Sequence, residues 1–178
     1  MIIGITGKKQ SGKDTVADYI IYKYPSFTRY RFADPLKNII CYLTGWNISD
    51  LENSEFKEAV DSKWGFSPRY ALQQIGTEGF RKLLRDDFWV KVAEKYVIPK
   101  MDYVISDIRF EDEAKFVRKR KGKIIHLRRF IAGLSVDKHL SEKGIAFKNN
   151  DIMITNDKTK EDLYKDIDSI MANYMKGE

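Results

Sequence analysis

A single cysteine, Cys41, stands among 178 residues, which excludes an internal disulfide framework and any Cys-rich metal module. Two histidines are too few to build a structural zinc site, and no Ser, His and Asp arrangement argues for an acyl-transfer triad. The four prolines are scattered, so there is no proline-rich linker, and neither a repeat nor a low-complexity tract breaks the chain. No apolar run approaches the roughly 20 residues that cross a bilayer. The opening MIIGI places its apolar residues ahead of the lysines, the reverse of a secretory leader. The expectation from these absences is a soluble cytoplasmic protein with no membrane partner.

What is present is a composition of 43% hydrophobic and 33% charged residues, ordinary for a folded protein, in a length that suits one domain over 1–178 rather than two. The excess of 32 Lys and Arg over 26 Asp and Glu favours an anionic partner. Its densest run, Arg118 to Lys123, reads as the basic end of a helix, where cations are favoured. A nucleotide therefore suits the chain better than a stable nucleic-acid complex.

Apolar, β-branched MIIGIT reads as a buried strand ended by Gly7. In DTVADYIIYKY, Val16, Ile20 and Tyr24 recur every four residues, which predicts a helix. FTRYRFA (Phe27 to Ala33) is a second strand, and Pro35 opens a helix through LKNIICYL. From Thr44 to Ser67 the pattern fades into turn residues with a short helix near Leu51 to Val60, so an insert that covers substrate is expected over about residues 44–100. PRYALQQIGTEGFRKLLRDDFWVKVAEKYVIPK supplies two helical segments, the second with Trp89, Val92, Ala93 and Tyr96 on one side. YVISDIRF, KIIHLRRF and DIMIT are further strands, and EDEAKFVRKR and KTKEDLYKDIDSIMANYM further helices. Five strands alternating with helices predict an α/β fold with a mainly parallel sheet between helix layers.

GKKQSGKDT ends the first strand and opens the first helix. It matches the phosphate-cradling pattern G-x-x-x-x-G-K-[ST] at Gly7, Gly12 and Lys13 and departs from it at Asp14, with Thr15 one step late. Strand, loop and helix turn successive N–H groups and the positive helix end towards one point, where a polyphosphate binds. Gly7, Lys8, Gly12, Lys13, Asp14 and Thr15 are thus the candidate nucleotide-binding residues, with Lys13 reaching the β- and γ-phosphates. Where the usual hydroxyl ligates Mg²⁺, Asp14 offers an anionic oxygen, still a hard ligand. Asp14 either holds the metal, directly or through water, or orients the incoming acceptor; the residues leave both open.

In order along the chain, GKKQSGKDTVADYI, RFADPLK, ALQQIGTEGFR with DDFWV, SDIRFEDEA and DKHLSEKG resemble the deoxynucleoside monophosphate kinases of tailed bacteriophages, within the P-loop nucleotide kinase superfamily. ITNDKTKEDLYKDI is similar to their last strand and helix. The Asp after the loop lysine is typical of that family and also of animal phosphomevalonate kinases, so the loop by itself does not name the substrate. The resemblance implies a three-layer P-loop kinase fold with a helical insert and a lid over about residues 129–148. It implies transfer of the ATP γ-phosphoryl group to the 5′-phosphate of a deoxynucleotide, Mg²⁺ dependence and work in an infected cell's cytoplasm, and it allows a homodimer.

On that reading Lys13, Asp14, Arg128 and Arg129 carry catalysis, the two arginines countering charge between donor and acceptor. In RFADPLK, Lys37 suits the acceptor phosphate and Asp34 the sugar or base, against the plainer reading of a helix-starting Asp with a surface lysine. Arg69, Gln73, Thr77 and Arg81 recur every four residues and form one polar stripe on a continuous helix, Gln73 suited to a base edge and an arginine to a phosphate. Arg69 and Arg81 stand roughly 18 Å apart on such a helix, unless Gly76 and Gly79 break it. Trp64 offers a stacking face, whereas Trp89 reads as core. Asp107 and Arg109 end a strand, Asp107 joining Asp14 as a metal ligand or orienting the acceptor, and Arg109 holding the acceptor phosphate. His139, Ser141 and Glu142 match a family stretch without an assigned role. Two rivals stand beside this reading: a kinase of another small phosphate, such as phosphomevalonate or dephospho-coenzyme A, and a nucleotide-switched module that engages nucleic acid through Arg118 to Lys123.

Overall fold

Every residue of β1 (Ile2–Thr6) is buried, as its β-branched run predicts for a strand covered on both faces. It is the central strand of a parallel sheet with β2 (Phe27–Tyr30), β3 (Asp102–Ile105), β4 (Lys123–Arg128) and β5 (Ile152–Thr155), in the order β2-β3-β1-β4-β5. Pairing sets Gly4 opposite Ile105 of β3 and Thr6 opposite His126 of β4. The carboxyl ends of β1, β3 and β4 therefore emerge side by side. The sheet belongs to the first of two units, Met1–Tyr30 with Val97–Glu178; the second is Arg31–Tyr96. The computed structural model describes residues 1–130 and 144–176.

In the first unit, Ile3 and Ile5 of β1, with Val104, Ile125, Leu127 and Ile154, meet Val16, Ala17 and Ile20 of α1 (Lys13–Lys23) and Leu163, Ile167 and Met171 of α7 (Lys160–Lys176) in one core. Each of the Val, Ile, Leu and Met side chains among them, fully buried, stabilises the fold by about 1.5–3 kcal/mol relative to exposure. Alternation along β1 turns Gly4 to the other face. There α6 (Glu111–Lys119) packs, and Val117 comes 3.5 Å from where a Cβ on Gly4 would lie. The sheet is thus layered between helices, as the alternation of elements predicts. Among the described residues no helix is long and apolar enough to cross a membrane.

β2 stops at Tyr30 rather than at the expected Ala33. The Asp34 N–H donates to the Arg31 carbonyl at 3.3 Å, a turn that withdraws residues 31–33 from the ladder just ahead of Pro35. The second unit then opens with α2 (Asp34–Thr44), Pro35 in its first turn and Gly45 ending it at φ 80°. The short helix expected near Leu51 to Val60 is two pieces, a 3₁₀ turn at Asp50–Glu52 and α3 (Ser54–Glu58). Asn53 divides them, its side chain accepting from the N–H groups of Glu55 (2.8 Å) and Phe56 (3.1 Å).

α4 (Pro68–Gln73), capped by Ser67, runs directly into a π-helical stretch, Gln74–Leu84, which the even four-residue spacing did not reveal. π turns are rare and concentrate at functional sites. α5 (Phe88–Tyr96) follows. Its Trp89 is 5% exposed, donates its indole N–H to the Gly76 carbonyl at 3.0 Å and lies 5.0 Å from the rings of Phe80 and Phe88. Trp89 is therefore core.

Candidate active site

The residues between β1 and α1 form a closed loop. The Lys13 ammonium folds back to donate to the Lys8 carbonyl at 2.7 Å, and the Ser11 N–H donates to the same oxygen at 3.2 Å. Gly7 and Gly12 are required by space as well as by angle. A Cβ on Gly7 would stand 2.3 Å from the Leu127 carbonyl oxygen, and Gly12, at φ 99°, faces the Asn156 amide 2.6 Å from such a Cβ. Gly12 caps α1 without a side-chain bond, so the helix meets the loop with the N–H groups of its first turn directed at an incoming anion.

Two residues that the sequence reading did not nominate hold this loop. Asn156, just past β5, donates from Nδ2 to the Ser11 carbonyl at 3.0 Å, and its own N–H donates to the Arg128 carbonyl at 2.7 Å. Ser106, the first residue after β3 and 2% exposed, donates from Oγ to Asp14 Oδ1 at 3.3 Å. Both are polar residues at the carboxyl end of a parallel strand, the position where such sheets gather ligands, and the strand order is what singles them out. Arg29 of β2 braces the helix start, donating to the Asp14 carbonyl at 3.4 Å and to Asp18 Oδ1 at 2.7 Å.

Asp107 and Arg109 follow Ser106, both half-buried. Their turn is fixed by buried Glu113, which accepts from the N–H groups of Arg109 (2.8 Å) and Phe110 (3.1 Å). Arg128 and Arg129 leave β4 exposed. Beside the glycine loop lies a cavity of about 540 Å³, lined among others by Gly7, Lys8, Arg109, Arg128, Arg129 and Asp157. Among the described lining residues, four cations against one carboxylate suit an anionic ligand.

His126 and Phe147 line the same cavity, and behind them Asp151 is the hub of a buried network. Its carboxylate accepts from Arg118 (2.6 and 3.2 Å), from the Lys148 N–H (2.9 Å), and bonds His126 Nε2 (3.0 Å). Burial alone would push the Asp151 carboxyl up; the bonds from Arg118, Lys148 and His126 outweigh it and hold it below the usual carboxylate range. Arg118 also donates to the Ala146 carbonyl, and Arg120 lies 3.7 Å from the Phe116 ring. Two cations of the basic run are thus engaged within the fold.

In the second unit, Lys37 is only 7% exposed and donates to Glu52 Oε1 at 2.7 Å, with Asp34 at 3.7 Å. Arg31 shares the same Glu52 oxygen at 3.0 Å. Neither Arg31 nor Glu52 was nominated, because each sits in a stretch whose charges carry no spacing signal. Burial raises the Glu52 carboxyl, but the Lys37 bond and the charges of Lys37 and Arg31 bring it below the usual range. Arg69 is 3.7 Å from Glu58. Thr77 and Arg81 are buried, Arg81 donating to the Asp86 carbonyl at the end of the π-helical stretch, and Gln73 is half-buried. Trp64 is half-buried, its indole N–H donating to the Thr44 carbonyl at 3.3 Å and Lys63 Nζ lying 5.1 Å from its ring centre. His139, Ser141 and Glu142, and most of the lid expected over 129–148, lie outside the described residues.

A parallel sheet in the order 2-3-1-4-5, whose central strand runs through a lysine-closed glycine loop into a helix, defines the P-loop phosphotransferase class. The fold is shared with a gluconokinase from Sinorhizobium meliloti 1021, at TM-score 0.54 and 10% identity, covering 98% of this chain and 93% of that one. A family model described as Deoxynucleotide monophosphate kinase matches residues 1–64 and 45–167. The chain is 35% identical over 196 residues to a provisionally designated deoxynucleotide monophosphate kinase of Acanthamoeba polyphaga mimivirus, with 97% of each chain covered. It is 32% identical over 246 residues to the deoxynucleotide monophosphate kinase of Escherichia phage RB69, covering 96% of this chain and 99% of that one. The chain belongs to the deoxynucleotide monophosphate kinase family.

Proposed function

We propose that this chain transfers the γ-phosphoryl group of ATP to the 5′-phosphate of a deoxynucleoside monophosphate, giving ADP and the diphosphate. The observation that carries the reading is the Lys13-closed glycine loop at the β1–α1 junction, in a chain matched to that kinase family over most of its length. Phosphoryl transfer asks the protein for position and for countercharge rather than for covalent chemistry. Gly7, Lys8, Gly12, Lys13 and Thr15 cradle the triphosphate, and the cavity beside them takes the rest of the donor; its volume falls in the ordinary range of small-molecule sites. Arg128 and Arg129, exposed at the end of β4, counter the spreading charge, and Arg109 serves the transferring or accepting phosphate.

The residues fit Mg²⁺. Asp14 and Ser106 are hard oxygen donors in contact, with Asp107 next in sequence. Among the described residues no group of three or more His, Cys, Asp or Glu gathers an all-protein metal cage, and Mg²⁺ at a nucleotide takes most of its shell from phosphate and water instead. When bound it neutralises charge on the β- and γ-phosphates. The second unit offers recognition chemistry of its own: Lys37 and Arg31, already gripping an anionic oxygen of Glu52, for a phosphate; Gln73, Asp34 and Trp64 for base and sugar; and Arg69, Thr77 and Arg81 to shape that surface. On this reading the work is done in the cytoplasm of an infected cell, in keeping with the viral source of the relatives.

Incubation with ATP, Mg²⁺ and each of the four deoxynucleoside monophosphates and their ribose counterparts tests the reading through ADP release. At least one deoxynucleotide is expected to raise release tenfold or more over the acceptor-free rate. Equal, slow release with every acceptor would return the loop to another small phosphate or to a switch. A second expectation concerns the loop's brace. Asn156→Ala removes one hydrogen bond to Ser11 while leaving the backbone bond to Arg128, so ATP KM should rise about tenfold with about 1 kcal/mol of stability lost. An unchanged KM at saturating acceptor would show that the loop holds its shape without Asn156.

A further inference from the structure

Lys37 and Arg31 are enclosed cations that meet more open carboxylates. The Lys37 and Arg31 side chains are 9% and 20% exposed, whereas those of Glu52 and Asp34 are 47% and 48% exposed. Both close contacts converge on a single oxygen, Glu52 Oε1, at 2.7 Å from Lys37 Nζ and 3.0 Å from Arg31 Nη1. Asp34 Oδ1 stands farther off, at 3.7 and 3.9 Å from the same two nitrogens. One anionic oxygen shared by an ammonium and a guanidinium is the arrangement that a phosphate oxygen would take on this pair. We propose that Glu52 is a built-in competitor of the acceptor phosphate, seated on Lys37 and Arg31 while the site is empty and displaced when the phosphate arrives. The inference rests on the reading of this cluster as part of an acceptor site and adds to it the group that sets its affinity.

Charge requires the displacement. Two cations facing two carboxylates make a neutral cluster, and a phosphate monoester brings about 1.5 to 2 further negative charges at neutral pH. With both carboxylates in place, negative charge would exceed positive by that amount. Glu52 is the one to leave, because it engages both cations at hydrogen-bond distance and Asp34 engages neither. Its backbone need not move: buried Leu51 anchors the 3₁₀ turn and Asn53 caps α3 directly after it, so rotation of the Glu52 side chain suffices. In the empty site the carboxylate also has a use, since Lys37 without it would be a buried charge poorly compensated. A seat that its own side chain fills about nine-tenths of the time shows an incoming anion an affinity about tenfold below the intrinsic one.

Calorimetric titration of the full chain with each of the four deoxynucleoside monophosphates tests this. Glu52→Gln keeps the shape and an acceptor oxygen but loses the charge, and is expected to tighten the best-bound nucleotide about tenfold. Its ligand-free melting temperature should fall, and the nucleotide should raise melting by more in the variant than in the wild type. Glu52→Asp, which keeps the charge but shortens its reach, should tighten binding in the same direction with melting closer to wild type, and it carries the test if Glu52→Gln does not fold. Glu55→Gln, at an exposed position three residues on, makes the same change in net charge and should leave affinity unchanged. Nucleotide binding that is equal or weaker in the Glu52 variants, or an equal gain in Glu55→Gln, would overturn the competitor role and leave Glu52 a strut for the two cations. Absence of nucleotide binding by the wild type and every variant would overturn the acceptor-site reading itself.

Discussion

Lys13→Ala is expected to lower kcat about a thousandfold, the scale on which removing a preorganised donor to developing charge is felt. Its stability is expected to stay within about 1 kcal/mol of the wild type, because the side chain is half-exposed and its bond to the Lys8 carbonyl is a local one. The split matters more than the loss. A variant that both melts early and turns over slowly would make Lys13 a loop strut. A variant with native melting and near-native turnover would remove Lys13 from the chemistry. Lys13→Arg should recover little, since a planar fork cannot replace a compact ammonium inside a closed loop. Steady-state ADP release at saturating ATP, beside thermal melting by circular dichroism, separates these outcomes.

The largest expected loss of stability belongs to Asp151→Asn. The Asp151 side chain is 1% exposed and the Arg118 head it pairs with 18%. Removing the charge leaves that guanidinium poorly compensated, at a cost of about 3 kcal/mol, which for a chain of this length lowers Tm by about 6–12 °C. Because the folded carboxyl sits below its unfolded value, its contribution is fully present above the unfolded pKa, about 3.9. It is lost as pH falls through the lower, folded value. The wild type should therefore lose stability more steeply than Asp151→Asn below about pH 4. Parallel acid limbs for the two proteins, measured by urea unfolding, would show that the network does not draw on the Asp151 charge.

The parts of the site legible in the sequence are those written in consecutive residues. MIIGIT, GKKQSGKDT and the helix after them reveal Gly7, Gly12 and Lys13 because strand, loop and helix are each signalled locally. Ser106 and Asn156 escaped because their meaning comes from strand order. A polar residue ending a strand acquires a role only when β3 or β5 is known to end near β1, and no spacing within the chain encodes that. Arg31 and Glu52 escaped for a related reason, a pair 21 residues apart joined by a turn and an uneven helix. The π-helical stretch is a case of competition. The stripe through Arg69, Gln73, Thr77 and Arg81 obeys α-helical spacing, yet Gly76 and Gly79 lower the cost of a wider coil, and tertiary bonds such as that of Trp89 to the Gly76 carbonyl outweigh local propensity. The early end of β2 is likewise decided by a turn bond that no side chain announces.

The clasp of Asn156 on Ser11 has a consequence for how the protein is made. The glycine loop leaves a ribosome ahead of β3, β4 and Asn156, so β1 must wait for those strands to flank it and for Asn156 to hold its loop. A nascent chain thus carries the signature of a nucleotide site from the emergence of the loop to that of Asn156 without having one. Competence arrives in a single step, when β5 and Asn156 are released and the loop after β1 is enclosed.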